Sequence, residues 1–265
     1  MQRLKDKVAV ITGSSSGFGR AIALSFGREG AKVVCSDVRR EANAGGFEED
    51  MQLPTDDVIR GNGGQAAFVK CDVTKNKEVA DLVTAAVGKF GRLDVMVNNA
   101  GVYRGGKLMH EFTEEELDIC LKINVKGMFF GSQEAVKQFL KQGSGGNIVN
   151  LVSTAGLGAY PRQSVYNISK GAAANLTRSL AVEYGQNQIR VNGICPTYCK
   201  TSLTRALFDD KAFDKAFTES IPLKRWGEVE DVANLAIFLA SEESSYIHGD
   251  MIEVDGGERL SRYSV

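Results

Sequence analysis

The chain has 265 residues, of which 43% are hydrophobic and 25% charged, and a formal net charge of −1. A globular chain of this length buries a large core without help from disulfides or metals. A near-neutral balance with no long basic stripe excludes the electrostatic footprint of a nucleic-acid binder, and the longest apolar run near the C-terminal end, Leu235 to Ala240, is too short to cross a bilayer.

The opening residues, Met1 to Lys7, lead straight into a strand-like run with no apolar signal region, so the expected location is cytoplasmic. Lys7 to Thr12 reads as a buried strand. After a glycine-rich turn, Phe18, Ile22 and Phe26 recur four apart and predict a helix ending near Gly30. Lys32 to Asp37 is a second strand and Ala66 to Asp72 a third. Val79, Leu82, Val83, Ala86, Val87 and Phe90 then mark one apolar helix face. Leu93 to Asn98 is the fourth strand.

Thr113 and Glu116 form a capping-box signature that opens a long helix reaching about Lys141. Gly143 to Gly146 breaks it, and Asn147 to Val152 is the fifth strand. A helix over about Ser164 to Tyr184, strands over Ile189 to Ile194 and Met251 to Val254, and a helix around Glu230 to Leu239 complete the pattern. Strand–helix alternation of this kind predicts one α/β domain over residues 1–265. Its architecture is a Rossmann-type, doubly wound parallel sheet with helices on both faces. The stretch from Arg39 to Gly64 fits the scheme least. It reads as a solvated, insertion-like acidic loop followed by a short helix. The five cysteines form no Cys-x-x-Cys pair and only two histidines are present, so no metal site is expected.

The turn after the first strand is Thr12-Gly13-Ser-Ser15-Ser-Gly17-Phe18-Gly19. Glycines there let the backbone approach a pyrophosphate, and the following helix aims its free N–H groups at the same anion. Placement between a strand and a helix is the context this mechanism requires. Asp37 ends the second strand, where a carboxylate accepts from ribose hydroxyls and repels a 2′-phosphate. That favours NAD, while Arg39 and Arg40 nearby keep NADP open. Asp72 and Val73 close the third strand, and Asn98, Ala100 and Gly101 close the fourth. These are strand ends at which open α/β sheets hold ligands.

Tyr166 and Lys170 stand one helical turn apart, on one face. A free phenol has a pKa of about 10, and a neighbouring ammonium favours the phenolate. Ser153 follows the fifth strand, placed to donate to a substrate oxygen.

Taken together, Thr12-Gly13-x-x-x-Gly17-x-Gly19, Asn98-Asn-Ala-Gly101, Asn124, Ser153, Tyr166-x-x-x-Lys170 and Asp255-Gly-Gly257 resemble the classical short-chain dehydrogenase/reductase family, over Leu4 to about Gly257. The resemblance implies an NAD(P)-dependent oxidoreductase that interconverts an alcohol and a ketone. It makes Tyr166 the acid–base group and Ser153 the residue that orients the carbonyl. Lys170 would lower the tyrosine pKa and hold the nicotinamide ribose. Asn124 would position a water of a proton relay to Lys170. By the same resemblance, Asp72 would contact adenine, Asn98 would lie beside the adenosine ribose, and Thr201 would offer its hydroxyl to the carboxamide. A homotetramer is the implied assembly.

One departure is Pro196-Thr197, where the family usually has Pro-Gly, which adds a Cβ near the expected nicotinamide edge. Residues 201–226, with Leu203, Leu207, Phe208, Phe213 and Phe217, read as a substrate lid or as a packing helix. Tyr103, Tyr160, Pro161 and Tyr198 are further candidates for the pocket wall. A non-catalytic dinucleotide-binding regulator and an epimerase or dehydratase with retained NAD are the rival classes. Neither would turn over cofactor.

Overall fold

β-Branched runs with no polar alternation need cover on both faces, and the chain supplies it. The computed structural model describes residues 2–48 and 50–261; Met1, Glu49 and residues 262–265 lie outside the described residues. The elements in chain order are β1 (Val8–Thr12), α1 (Gly17–Arg28), β2 (Lys32–Asp37), α2 (Thr55–Gly61), β3 (Gln65–Lys70), α3 (Asn76–Phe90), β4 (Val95–Asn98), α4 (Glu114–Cys120), α5 (Met128–Gln142), β5 (Gly146–Leu151), α6 (Ser164–Tyr184), β6 (Ile189–Pro196), α7 (Arg205–Asp209), α8 (Lys211–Ser220), α9 (Val229–Ala240), β7 (Met251–Val254) and α10 (Glu258–Ser261). The strands form one parallel sheet in the order β3-β2-β1-β4-β5-β6-β7.

Alternation along each strand divides the core. In β1, Ala9 and Ile11 join Ile22 and Phe26 of α1 and Ala236 and Ile237 of α9. Val10 joins the opposite cluster, with Val79 and Leu82 of α3 and Phe139 of α5. Each of the buried Val, Leu, Ile and Phe side chains among these contributes about 1.5–3 kcal/mol. The chain order reverses at β1, which pairs with β2 on one side and β4 on the other. The carboxyl ends of β1 and β4 therefore flank the crevice where ligands of such sheets bind.

Three features depart from the sequence reading. The long helix expected from Thr113 is capped as predicted, with Glu116 N–H donating to Thr113 Oγ1 at 3.2 Å and Thr113 N–H to Glu116 Oε2 at 2.9 Å. It is then interrupted by a π-helical turn over Leu121–Gly127 that carries Asn124; such turns are frequent at functional sites. The third strand stops at Lys70, leaving Asp72 and Val73 in the loop beyond it. The Arg39–Gly64 stretch contains the expected short helix, α2, but its acidic part is no free solvated insertion. Arg20 is fully buried and donates to Asp50 Oδ1 and the Asp50 carbonyl, each at 2.9 Å, and to Thr55 Oγ1 at 3.0 Å. A buried guanidinium needs such partners, and these bring the segment down onto α1.

The tightest backbone approach lies under the first turn of α1. A Cβ on Gly19 would stand 2.1 Å from the Gly13 carbonyl oxygen, and Gly13 itself has φ +65. Gly19→Ala is therefore expected to cost roughly 1–3 kcal/mol through forced backbone movement. Urea unfolding of the variant checks this, and an unchanged midpoint would contradict the packing.

Candidate active site

Ser153, Tyr166 and Lys170 converge on one cavity of about 360 Å³ that runs across the carboxyl edge of the sheet. Ser153 follows two residues past the end of β5. The Ser153 hydroxyl accepts from Ala155 N–H at 3.1 Å and donates to the Pro196 carbonyl at 3.4 Å. α6 presents Tyr166 and Lys170 from adjacent turns, with the ammonium 5.7 Å from the phenol ring centroid. Lys170 is buried and donates to the Leu151 carbonyl at 2.8 Å, which fixes its Nζ beneath the end of β5. The Tyr103 ring packs edge-on against Tyr166, with centroids 5.1 Å apart.

The cavity continues to the glycine turn, where Gly13, Gly17, Phe18, Asp37, Asp72, Val73, Ala100, Gly101, Pro196 and Thr201 line it. Asp37 is tied to the turn by an N–H donated from Ser15 at 3.2 Å. The first donor of α1 already holds an anion, since Gly17 N–H donates to Glu48 Oε1 at 2.5 Å. Helix N-termini favour negative charge, so this cradle fits a dinucleotide pyrophosphate. Arg40 is committed elsewhere, to Asp56 at 2.8 Å and Asp57 at 2.7 Å. Arg39 is exposed and has no ion pair among the described residues.

Four of the expected residues lie off the cavity wall. Ser15 supports Asp37 from behind and donates its hydroxyl to the Arg39 carbonyl at 2.7 Å. Gly19 serves the close packing of α1. Asn98 turns inward, donating to Ser132 Oγ at 3.0 Å and Asn150 Oδ1 at 2.9 Å, so its side chain is engaged in the core and does not line the cavity. Asn124 accepts from Val102 N–H at 2.8 Å and donates to the Val102 carbonyl at 2.9 Å and Ser169 Oγ at 3.0 Å. Those bonds hold the loop after β4 against α6, and none of them reaches Lys170.

Tyr103, Tyr160 and Tyr198 line the pocket as expected, and Pro161 does not. The 201–226 segment combines both readings. Leu203 and Leu207 line the cavity, while Phe217 and Trp226 bury themselves with Tyr198, Phe208 and Phe213. Thr197 lines the cavity, with its hydroxyl 3.4 Å from Glu258 Oε2. Gln163 was not singled out from the sequence. It is 4% exposed, lines the cavity, and its amide makes no hydrogen bond within the described chain. Its position three residues before Tyr166 is the signal that would have found it.

Burial governs the titrating pair. It pushes the Tyr166 phenol up to about 12, with the hydrogen bond from Ser153 opposing the rise. It brings Lys170 down to about 8. The expected lowering of the phenol by Lys170 is therefore outweighed in the free protein, because desolvation penalises both charged forms. Lys170 has a folded pKa below its unfolded value of 10.5, so the unfolded chain binds more protons between about 8 and 10.5. The charging penalty is full below the folded value and vanishes above the unfolded one. Lys170→Met is thus expected to gain on the order of 1–3 kcal/mol relative to the parent at pH 7, and to lose that gain by about pH 10.5. Chemical denaturation across this range checks it; a pH-independent difference would contradict the buried charge.

Comparison with known proteins agrees with this geometry. The profile of the family described as Enoyl-(Acyl carrier protein) reductase matches residues 13–258. A diacetyl reductase, (S)-acetoin forming, from Staphylococcus epidermidis is 40% identical over 263 residues, covering 95% of this chain and 98% of the relative. A short-chain type dehydrogenase/reductase from Mycobacterium marinum superposes with a TM-score of 0.87 at 34% identity, covering 97% of both chains. A gluconate 5-dehydrogenase from Burkholderia cenocepacia, in complex with NADP and tartrate, gives 0.88 at 30% identity, covering 98% of this chain and 97% of the other. The glycine turn, the Ser153–Tyr166–Lys170 cluster and these likenesses together make the chain an oxidoreductase of the short-chain dehydrogenase/reductase family.

Proposed function

We propose that the chain interconverts a small secondary alcohol and its ketone, with NAD as the hydride carrier. One observation carries the reading: a phenol, a hydroxyl and an ammonium share a cavity with a glycine turn that already holds an anion at a helix N-terminus. A nicotinamide dinucleotide bound along that cavity supplies or takes up the hydride. Every proton step falls to the chain. In reduction, Ser153 and Tyr166 donate to the carbonyl oxygen, and the Tyr166 proton passes to it as the alcohol forms. In oxidation the phenolate oxygen of Tyr166 removes the hydroxyl proton. Burial keeps the resting phenol protonated, which suits the reductive direction. Lys170, 5.7 Å from the Tyr166 ring centre and among the described residues the one Lys or Arg lining the cavity, is the cation available to a forming phenolate and the candidate partner of the ribose hydroxyls.

Asp37 on the cavity wall supports NAD. NADP is the second reading, favoured by the exposed Arg39 and by the NADP in the Burkholderia structure. An uncharged substrate fits the mouth, because among the described residues Lys170 is the one Lys or Arg lining the cavity. The amide of Gln163 supplies a donor and an acceptor there for a second substrate oxygen, which suits a diketone or hydroxyketone. Half-exposed Phe129 and Leu140 on α5 and Ile168 on α6, with the strongly exposed Val182, support assembly into a homotetramer. Light scattering at a single-chain mass would contradict that assembly.

Absorbance at 340 nm, with small ketones and alcohols and each cofactor, tests the reaction. Net turnover is expected; its absence across the panel would favour a regulator or an epimerase. NADP outperforming NAD by about tenfold or more would overturn the reading of Asp37. Tyr166→Phe is expected to keep cofactor affinity and to lose about 100-fold or more in kcat. A variant with near-parental kcat would remove Tyr166 from the mechanism.

A further inference from the structure

The stretch that fitted the sequence scheme least, the acidic run after β2, lies across the mouth of the nucleotide cradle. Asn43 N–H donates to Ser16 Oγ at 2.5 Å, and Glu48 Oε1 takes the Gly17 N–H at the start of the twelve-residue α1. The other carboxylate oxygen, Glu48 Oε2, is buried and has no hydrogen-bond partner among the described residues, an unfavourable state for a charged group. Between these two anchors the same segment grips α7. Arg205 donates to the Gly45 carbonyl at 2.9 Å and the Gly46 carbonyl at 2.7 Å, and its guanidinium lies 3.5 Å from the centre of the Phe47 ring. Phe47 packs edge-on against Phe208 at 5.2 Å. Leu207, next to Phe208 in α7, lines the substrate end of the cavity.

We propose that residues 43–48 are a strap that joins the cofactor cradle to the substrate lid, with Glu48 standing in for the diphosphate until the dinucleotide displaces it. The proposal rests on the dinucleotide-binding reading given above. Two anions cannot share the single Gly17 N–H, and carboxylate and diphosphate repel at that range. Glu48 leaves when the cofactor enters, and its half-satisfied burial makes leaving easy. Because the strap is fastened to Arg205 and Phe208, its movement is passed to α7 and hence to the substrate mouth. Cofactor binding before substrate is the expected order.

The test is the dissociation constant of NADH, and of NADPH, measured by fluorescence on the full chain. Glu48→Gln keeps the shape and removes the competing charge. It is expected to tighten the better of the two cofactors by roughly twofold to thirtyfold, the range of one charge at a helix N-terminus. Glu48→Ala is expected to tighten it likewise. The double variant Arg205→Ala, Phe208→Ala cuts both fastenings, and hydrogen exchange then reads the coupling. In the parent, cofactor is expected to change exchange in both 43–48 and 205–209; in the variant, the change in 205–209 is lost. Unchanged affinity in both Glu48 variants, or a change in 205–209 that survives the double variant, would overturn the strap. A parent chain that binds neither cofactor would instead overturn the functional reading beneath it.

Discussion

A parallel sheet buried on both faces leaves little room for chemistry except along its carboxyl edge. Val10 and Ile11 are both fully buried, on opposite faces, so the polar groups of β1 that can meet a ligand lie at its carboxyl end, in Thr12 and the turn that follows it. Strand order reverses there, and the turns after β1 and β4 separate enough to leave a crevice. The rest of the site hangs on this constraint. Asn99 fastens the two turns together by donating to the carbonyls of Thr12 at 2.8 Å and Gly13 at 3.0 Å. β5 then adds Ser153 from the neighbouring edge, and α6 closes the end with Tyr166 and Lys170.

Electrostatics in this crevice follow from the same burial. Among the described residues, Lys170 Nζ is compensated by one hydrogen bond, to the Leu151 carbonyl, and by no ion pair. An ammonium so weakly compensated titrates far below its ordinary range, and the phenol beside it is held neutral. In the free protein, burial thus favours the neutral form of both groups. In the proposed oxidation, charge brought by ligands would tip the pair toward phenolate.

Much of this was legible in the sequence, for identifiable reasons. β2, α6 and β7 match the expected spans because their ends coincide with sharp changes in side-chain pattern. The capping box at Thr113 is a local chemical signal and was readable as such. What could not be read depends on long-range partners. The π turn around Asn124 is associated with hydrogen bonds to Val102, twenty-two residues away, which no helical periodicity records. Asn98 turned inward because Ser132 and Asn150 offered it buried partners. The acidic run looked solvated because its anchor, Arg20, sits inside an otherwise apolar helix face and is buried with it.

The central claim is that one continuous cavity joins the glycine turn to the Tyr166 hydroxyl, with a dinucleotide lying along it. A crystal structure of the chain soaked with saturating cofactor tests this directly. The account predicts density that begins beside Asp37, passes the Gly13–Gly17 turn with Glu48 displaced, and ends with the nicotinamide ring next to Tyr166 and Ser153. A ring far from Tyr166, or no bound nucleotide at saturation, would contradict it.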